Sequence, residues 1–246
     1  FTSLSEDMAP DELTNLLNRL LTPTTDVLLR AEATIDKYIG DAIMAFWNAP
    51  LDIADHARKA CLAALAMQDA LAALNRESGR ELRLGIGLNT GPCCVGNLGS
   101  AQRFSYSAIG DNVNVASRVE GLTKQYHVPI LVTEETRSAA GDLAFLEADL
   151  VQVVGRSKPL ALYVLLGDAA HAASPAFADL ASVHRGLIEA YRGCCWDAAQ
   201  KALDELRERT PAALAGLCDV YAERIVALRS DPPPADWDGV FVARQK

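Results

Sequence analysis

Apolar positions recur along this chain with two periods, and the places where the period changes outline its elements. Leu13, Leu16, Leu17, Leu20 and Leu21 form a helical stripe that predicts a helix over about 10–33, opened by Ala9-Pro10-Asp11-Glu12, a proline and two acids suited to a first turn. Short apolar runs at 33–35 and 42–47 then predict a β-hairpin about a tight turn at Gly40-Asp41. Leu62, Leu65, Ala66 and Leu71 restore the helical period over 56–74. A strand is expected over 82–88, a turn at Asn89-Thr90-Gly91-Pro92, and a return from Val95 whose glycines permit close packing. Further strands are expected at 128–132, 150–154 and 160–166, with a short helix after Thr133, whose hydroxyl is placed to cap it.

The chain is organised around residues 105–120, SYSAIGDNVNVASRVE. A β-favouring run leads through Gly110-Asp111 into a helix whose first turns carry Asn114 and Arg118, four apart and so on one face. An amide one turn before a guanidinium, near the positive end of a helix, suits a sugar-phosphate. Asn hydrogen-bonds hydroxyls or a ring oxygen, and Arg braces an anionic phosphorus centre. On spacing alone such a pair is usually just a solvated face, and the residues around it are what single it out.

The string IGDNVNVASRVE resembles the signature helix of the class III nucleotidyl cyclases, which make cyclic AMP or cyclic GMP from a nucleoside triphosphate. FTSLSE at 1–6, DKYIGDAIMAFW at 36–47, LGIGLNTGPCCVGNLGS at 84–100 and GRSKPLALYVLLG at 155–167 fall in the family's order. The resemblance implies an α/β fold, an α+β sandwich with a ferredoxin-like, mixed and mostly antiparallel sheet and packed helices. Its catalytic domain would span 1–167. The family's first strand, which carries the first of two metal-binding aspartates, ends in the Phe-Thr on which this sequence opens, so that strand is expected upstream, in a longer parent.

Residue by residue, the resemblance implies that Asp41 is the second metal aspartate, with two divalent cations, Mg²⁺ or Mn²⁺, as cofactors. Lys37 and Ser107 match the base-reading positions. Lysine at 37 points to ATP, whereas guanylate cyclases usually carry Glu there with Cys at the second position; Ser departs from both the usual Asp or Thr and the Cys. Phe1 and Thr2 match the turn that holds the triphosphate. Arg156, with Lys158 as the competing position, lies near the position of the family's triphosphate-binding lysine. Asn114 and Arg118 match the catalytic pair. The implied activity is an adenylate cyclase acting in signal transduction as a homodimer, with a sensor or membrane domain upstream. A guanylate cyclase and a non-catalytic nucleotide-binding regulatory module are the alternatives.

Composition narrows this without choosing among those readings. A net charge of −9 argues against a nucleic-acid surface but not against a triphosphate, which needs only local cations. Apolar runs fall short of the roughly 20 residues of a membrane span, and no signal peptide is visible, so a cytoplasmic domain is expected, with membrane attachment reserved for the parent. The six cysteines lack CxxC spacing, which suits reduced thiols better than zinc or a disulfide framework. After Gly167 the sequence changes. An Ala-rich linker over 168–174 precedes helices at about 175–192, 196–209 and 211–228, a tetratricopeptide-like or capping extension that runs to 246. Its Pro-rich end carries Trp237, expected to anchor on the body.

Overall fold

The computed structural model describes residues 8–100, 102–152, 158–234 and 236–242. They divide into two compact units, residues 1–84 with 91–114, and residues 85–90 with 115–246.

In the first unit, α1 (Pro10–Arg30) packs on α2 (His56–Ser78). The α1 stripe follows the expected leucines, with Leu16 buried and Val27 and Leu28 extending it. On α2 the buried face is set by Ala57, Ala60, Cys61, Ala64, Met67, Leu71 and Leu74, and Leu62 turns outward, because the small alanines are what let α2 approach its neighbours. Between the helices, β1 (Thr34–Ile39) and β2 (Ala42–Phe46) pair antiparallel about Gly40, whose φ of 63° is the left-handed conformation this turn requires. A second antiparallel hairpin joins β4 (Cys94–Gly99) to β5 (Phe104–Ile109), and β5 lies beside β1.

The strand expected over 82–88 is shorter than the apolar pattern suggests. The side chain of Asn75 accepts the Leu82 N–H at 3.0 Å and donates to the Leu82 carbonyl at 2.8 Å, and Gln68 donates to the Leu84 carbonyl at 2.9 Å. These α2 amides take up backbone groups that a ladder would otherwise use. Only β3 (Ile86–Leu88) pairs, in the second unit.

That unit holds a five-stranded sheet in the order β3-β6-β8-β7-β9, with β6 at Ile130–Thr133, β7 at Ala144–Gln152, β8 at Leu160–Gly167 and β9 at Phe241–Val242. β8 is antiparallel to both β6 and β7, while β3/β6 and β7/β9 are parallel. Among the described residues the strands form three ladders, and most pairings are antiparallel as expected. The strand expected at 150–154 begins earlier, at Ala144; residues 153–157 lie outside those described. α3 (Asp111–Tyr126) continues into this unit, and β3 runs against its backbone. A Cβ on Gly87 would come within 2.1 Å of the Glu120 nitrogen, so only glycine permits the approach. Thr133 does precede a helix, α4 (Glu134–Ala140), but its buried hydroxyl bonds Asn89 at 2.9 Å instead of capping.

A four-residue helix α5 (Ala169–Ala172) occupies the expected linker, followed by α6 (Pro175–Arg192), α7 (Trp196–Arg209), a 3₁₀ turn and α8 (Ala215–Ser230). Ser174 caps α6 by accepting the Phe177 N–H, with Pro175 at the first helical position. Leu187 and Tyr191 of α6, Leu203 of α7 and Tyr221 of α8 share one core with Val119 of α3, Leu131 of β6 and Leu162 of β8. Trp237 packs on that core against the rings of Tyr191 and Trp196.

Polar ties fix the helices to β7. A bulge between Glu147 and Asp149 buries consecutive residues, and the Asp149 carboxylate accepts from the Tyr126 hydroxyl and the Arg224 guanidinium, each at 2.5 Å. Burial first, then the Asp149 charge, raises the Tyr126 phenol far above its ordinary range, so it stays a donor. On α6, the buried His184 bonds the Glu147 carbonyl at 2.6 Å through Nε2, which must donate. Its Nδ1 is buried with no partner among the described residues.

Burial therefore holds His184 below its ordinary pKa of 6.5, outweighing the upward pull of Glu147. Because the unfolded chain takes up this proton first, stability from His184 is complete above about pH 6.5 and is lost as pH falls through the folded-state value. Chemical denaturation between about pH 7 and about pH 5 should show this loss, and His184→Gln should flatten the curve. An equally steep acid limb in the variant would contradict the assignment.

Candidate active site

The polar cluster of the first unit begins at an irregularity in β1. Ile35 pairs with Ala45 and Lys37 with Met44, so Asp36 is the extra residue of a β-bulge. In a regular strand, residues 36 and 37 would face opposite sides of the ribbon. Here both side chains reach Ser107 of β5. The Ser107 hydroxyl donates to Asp36 Oδ2 at 2.5 Å, and Lys37 Nζ donates to Ser107 Oγ at 3.4 Å. The same Asp36 oxygen accepts the Ala108 backbone N–H at 3.2 Å.

The side chain of Asp36 has 0% exposure, that of Lys37 46%, and Ser107 is 5% exposed. Lys37 Nζ stands 3.2 Å from Asp36 Oδ1, an ion pair whose angles fall short of a hydrogen bond, so that oxygen has no hydrogen-bond donor among the described residues. A dry carboxylate is tolerable because a cation, a hydroxyl and an amide converge on it. The lysine bridges this interior to solvent, leaving its remaining N–H bonds for a ligand.

Asp41 lies past the Gly40 turn at the exposed tip of the β1–β2 hairpin. Among the described residues no group of three or more His, Cys, Asp or Glu side chains is arranged to hold a metal ion. A single carboxylate does not by itself make a site for a pair of divalent cations.

β5 runs through Gly110 directly into α3. The start of α3 is drawn against the 91–92 turn: Asn112 donates to the Pro92 carbonyl at 2.8 Å, and Gly91 lies so close that a Cβ there would meet the Asn112 side chain at 2.5 Å. Asn114 is exposed on this first turn and Arg118 follows one turn later, half-buried. Arg118 Nη1 is itself buried with no hydrogen-bond partner among the described residues. An unpaired buried guanidinium nitrogen is costly, and an anion is the partner that best repays it.

Of the residues expected from sequence, Lys37 and Ser107 are brought together, Asn114 and Arg118 share a helix face, and Asp41 stands apart at its turn. Phe1, Thr2 and Arg156 lie outside the described residues; Lys158, the competitor of Arg156, is exposed. Sequence reasoning overlooks Asp36. Its one signal is adjacency to Lys37, which strand alternation would read as pointing away.

This arrangement can be set against known proteins. The family model described as the adenylate and guanylate cyclase catalytic domain matches residues 1–167. Adenylate cyclase 1 of Rhizobium meliloti (strain 1021) is 36% identical over 172 residues, which cover 68% of this chain but only 26% of that protein. The crystal structure of the adenylyl cyclase CyaB from P. aeruginosa matches with a TM-score of 0.62 at 31% identity, covering 68% of this chain and 88% of that one. A guanylyl cyclase, Cya2, matches with the same TM-score of 0.62 at 33% identity, covering 68% of this chain and 87% of its own, so backbone likeness does not choose the base. The match across two thirds of the chain, carried by the stretch that holds Lys37, Ser107, Asn114 and Arg118, makes this chain a member of the adenylate and guanylate cyclase catalytic domain family.

Proposed function

We propose that the chain is the catalytic domain of an adenylate cyclase, converting ATP to 3′,5′-cyclic AMP and pyrophosphate. The observation that carries this reading is the pairing of Lys37 with Ser107, an ammonium and a hydroxyl side by side where the family resemblance puts the base-reading groups. In the reaction the ribose 3′-oxygen bonds to the α-phosphorus, the bond from that phosphorus to the pyrophosphate oxygen breaks, and the 3′-hydroxyl proton passes to solvent. Asn114 orients the ribose. Arg118 faces the charge that grows on the transferring phosphoryl group, which fits a guanidinium nitrogen without a hydrogen-bond partner among the described residues.

The reading includes a homodimer, with the metal aspartates and triphosphate turn supplied by one subunit and the Asn114 and Arg118 side by the other. The exposure of Ile39, Phe104 and Ile109 on β1 and β5 supports a second copy covering these hairpins. It also includes two divalent cations, Mg²⁺ or Mn²⁺, toward which Asp41 is the one described carboxylate. The chemistry set out here rests on the chain's own base-facing and phosphate-facing groups. Phe1, Thr2 and Arg156 remain proposed triphosphate contacts, and an upstream sensor or membrane domain in the parent remains part of the proposal. So does the division into a catalytic domain over 1–167, a connector over 168–174 and a helical extension over 175–246. The core that the extension shares with β6 and β8 favours a cap over a free interaction module. A regulatory, nucleotide-binding role is the second reading, favoured by Asp41 standing outside any metal-holding group among the described residues.

Two experiments test the enzyme reading. Arg118→Ala should lower kcat by about 10²- to 10³-fold with a much smaller change in ATP affinity. Equal loss in both would remove Arg118 from the transition state, and binding without turnover in the unaltered protein would favour the regulatory reading. Separately, Lys37→Glu with Ser107→Cys should shift kcat/KM toward GTP by about tenfold or more. An unchanged nucleotide preference would show that these two side chains do not face the base.

A further inference from the structure

The Ser107 hydroxyl has one proton to give and two lone pairs to offer. Its proton is already committed, because Asp36 Oδ2 lies 2.5 Å away and a carboxylate paired with a lysine only accepts. One lone pair faces Lys37 Nζ at 3.4 Å. What is left for a ligand is the second lone pair.

We propose that Asp36 is a positioning residue that sets base preference by fixing the direction of the Ser107 O–H bond, an inference that rests on reading Lys37 and Ser107 as base-facing. With the hydroxyl so held, the site offers an acceptor at Ser107 beside a donor at Lys37. Adenine presents the complement along one edge, an amino donor beside the N1 acceptor. Guanine in the same placement presents an acceptor, O6, to the lone pair and a donor, N1–H, to the ammonium. A free serine would adapt to either base by turning its hydroxyl, so serine alone does not discriminate. Serine locked by a carboxylate does.

Three features separate this role from general bracing. The β1 bulge is what carries Asp36 to the same side as Lys37, so the departure from regular pairing falls at this residue. Ala108 N–H holds the same carboxylate oxygen at 3.2 Å, which restrains the acceptor from rotating away from Ser107. The side chain has no exposure to water, so no solvent proton competes for the hydroxyl.

The test is base discrimination in binding. Affinities are measured by calorimetry for non-cyclisable analogues of ATP, of GTP and of purine riboside triphosphate, which lacks the amino group. The unaltered protein should favour the ATP analogue over the other two by about tenfold or more. In Asp36→Asn, whose amide can donate to Ser107 and release its proton, the preference should shrink to about twofold. Asp36→Asn placed on Ser107→Ala should leave discrimination where Ser107→Ala alone puts it. A purely structural Asp36 would weaken all three ligands alike. Retained discrimination in a folded Asp36→Asn protein, or an effect of Asp36→Asn that survives Ser107→Ala, overturns the inference while the base-facing reading stands. Equal binding of all three analogues by the unaltered protein overturns both. Should Asp36→Asn not fold, proton NMR of the unaltered protein decides: the Ser107 hydroxyl proton should appear downfield and exchange slowly with the ATP analogue bound, and exchange at the rate of a solvated hydroxyl overturns the inference.

Discussion

A carboxylate removed from water costs several kcal/mol unless its partners are in place, and the Asp36 carboxylate is held by groups from two segments 71 residues apart in sequence. The bond to Ser107 fixes where β5 stands beside β1, and the lysine next to Asp36 extends from that fixed point to solvent. β5 then runs through Gly110 into α3, so the start of the Asn114–Arg118 helix is set by a strand whose own position depends on a buried carboxylate. The cluster proposed to read the base is, built this way, stiff for the same reason that it is costly. Preorganisation of that kind is what lets two hydrogen-bonding groups discriminate between purines.

The same device appears in the other unit with a different outcome. At β7 a second bulge buries Asp149, and its partners Tyr126 and Arg224 come from α3 and α8. The Arg224 guanidinium also lies 3.7 Å from the centre of the Phe241 ring, so β9 joins the arrangement. The ion-pair partner of Asp149, Arg224, is 13% exposed where Lys37 is 46%, and its neighbours close over it. One bulge thus stitches helices to a sheet, and the other leaves a charged edge available to a ligand.

Much of this was legible in the residues. The β1–β2 turn follows from Gly40-Asp41, α3 from the run after Gly110, and α6 and α7 fall at 175–192 and 196–209, the ranges expected. The face shared by Asn114 and Arg118 follows from spacing alone. What sequence pattern did not reveal is non-local. A bulge is a mismatch between two strands and leaves no mark on the period of either, which is why the sequence pattern did not single out Asp36. The shortening of β3 depends on Asn75 and Gln68 of a preceding helix claiming the backbone at Leu82 and Leu84. The hydroxyl of Thr133 looked like a cap because its tertiary partner, Asn89, lies 44 residues earlier. In each case local propensity was overridden by a side chain from elsewhere in the fold.

The central claim is that Lys37 and Ser107, organised by Asp36, form the adenine-reading edge of a cyclase site. It is tested most directly by a crystal structure of the protein with a non-cyclisable ATP analogue bound. The adenine amino group should lie within hydrogen-bonding distance of Ser107 Oγ, with N1 facing Lys37 Nζ and the Ser107–Asp36 bond intact. An adenine ring seated away from both side chains, or a Ser107 hydroxyl turned from Asp36 toward the base, would contradict it.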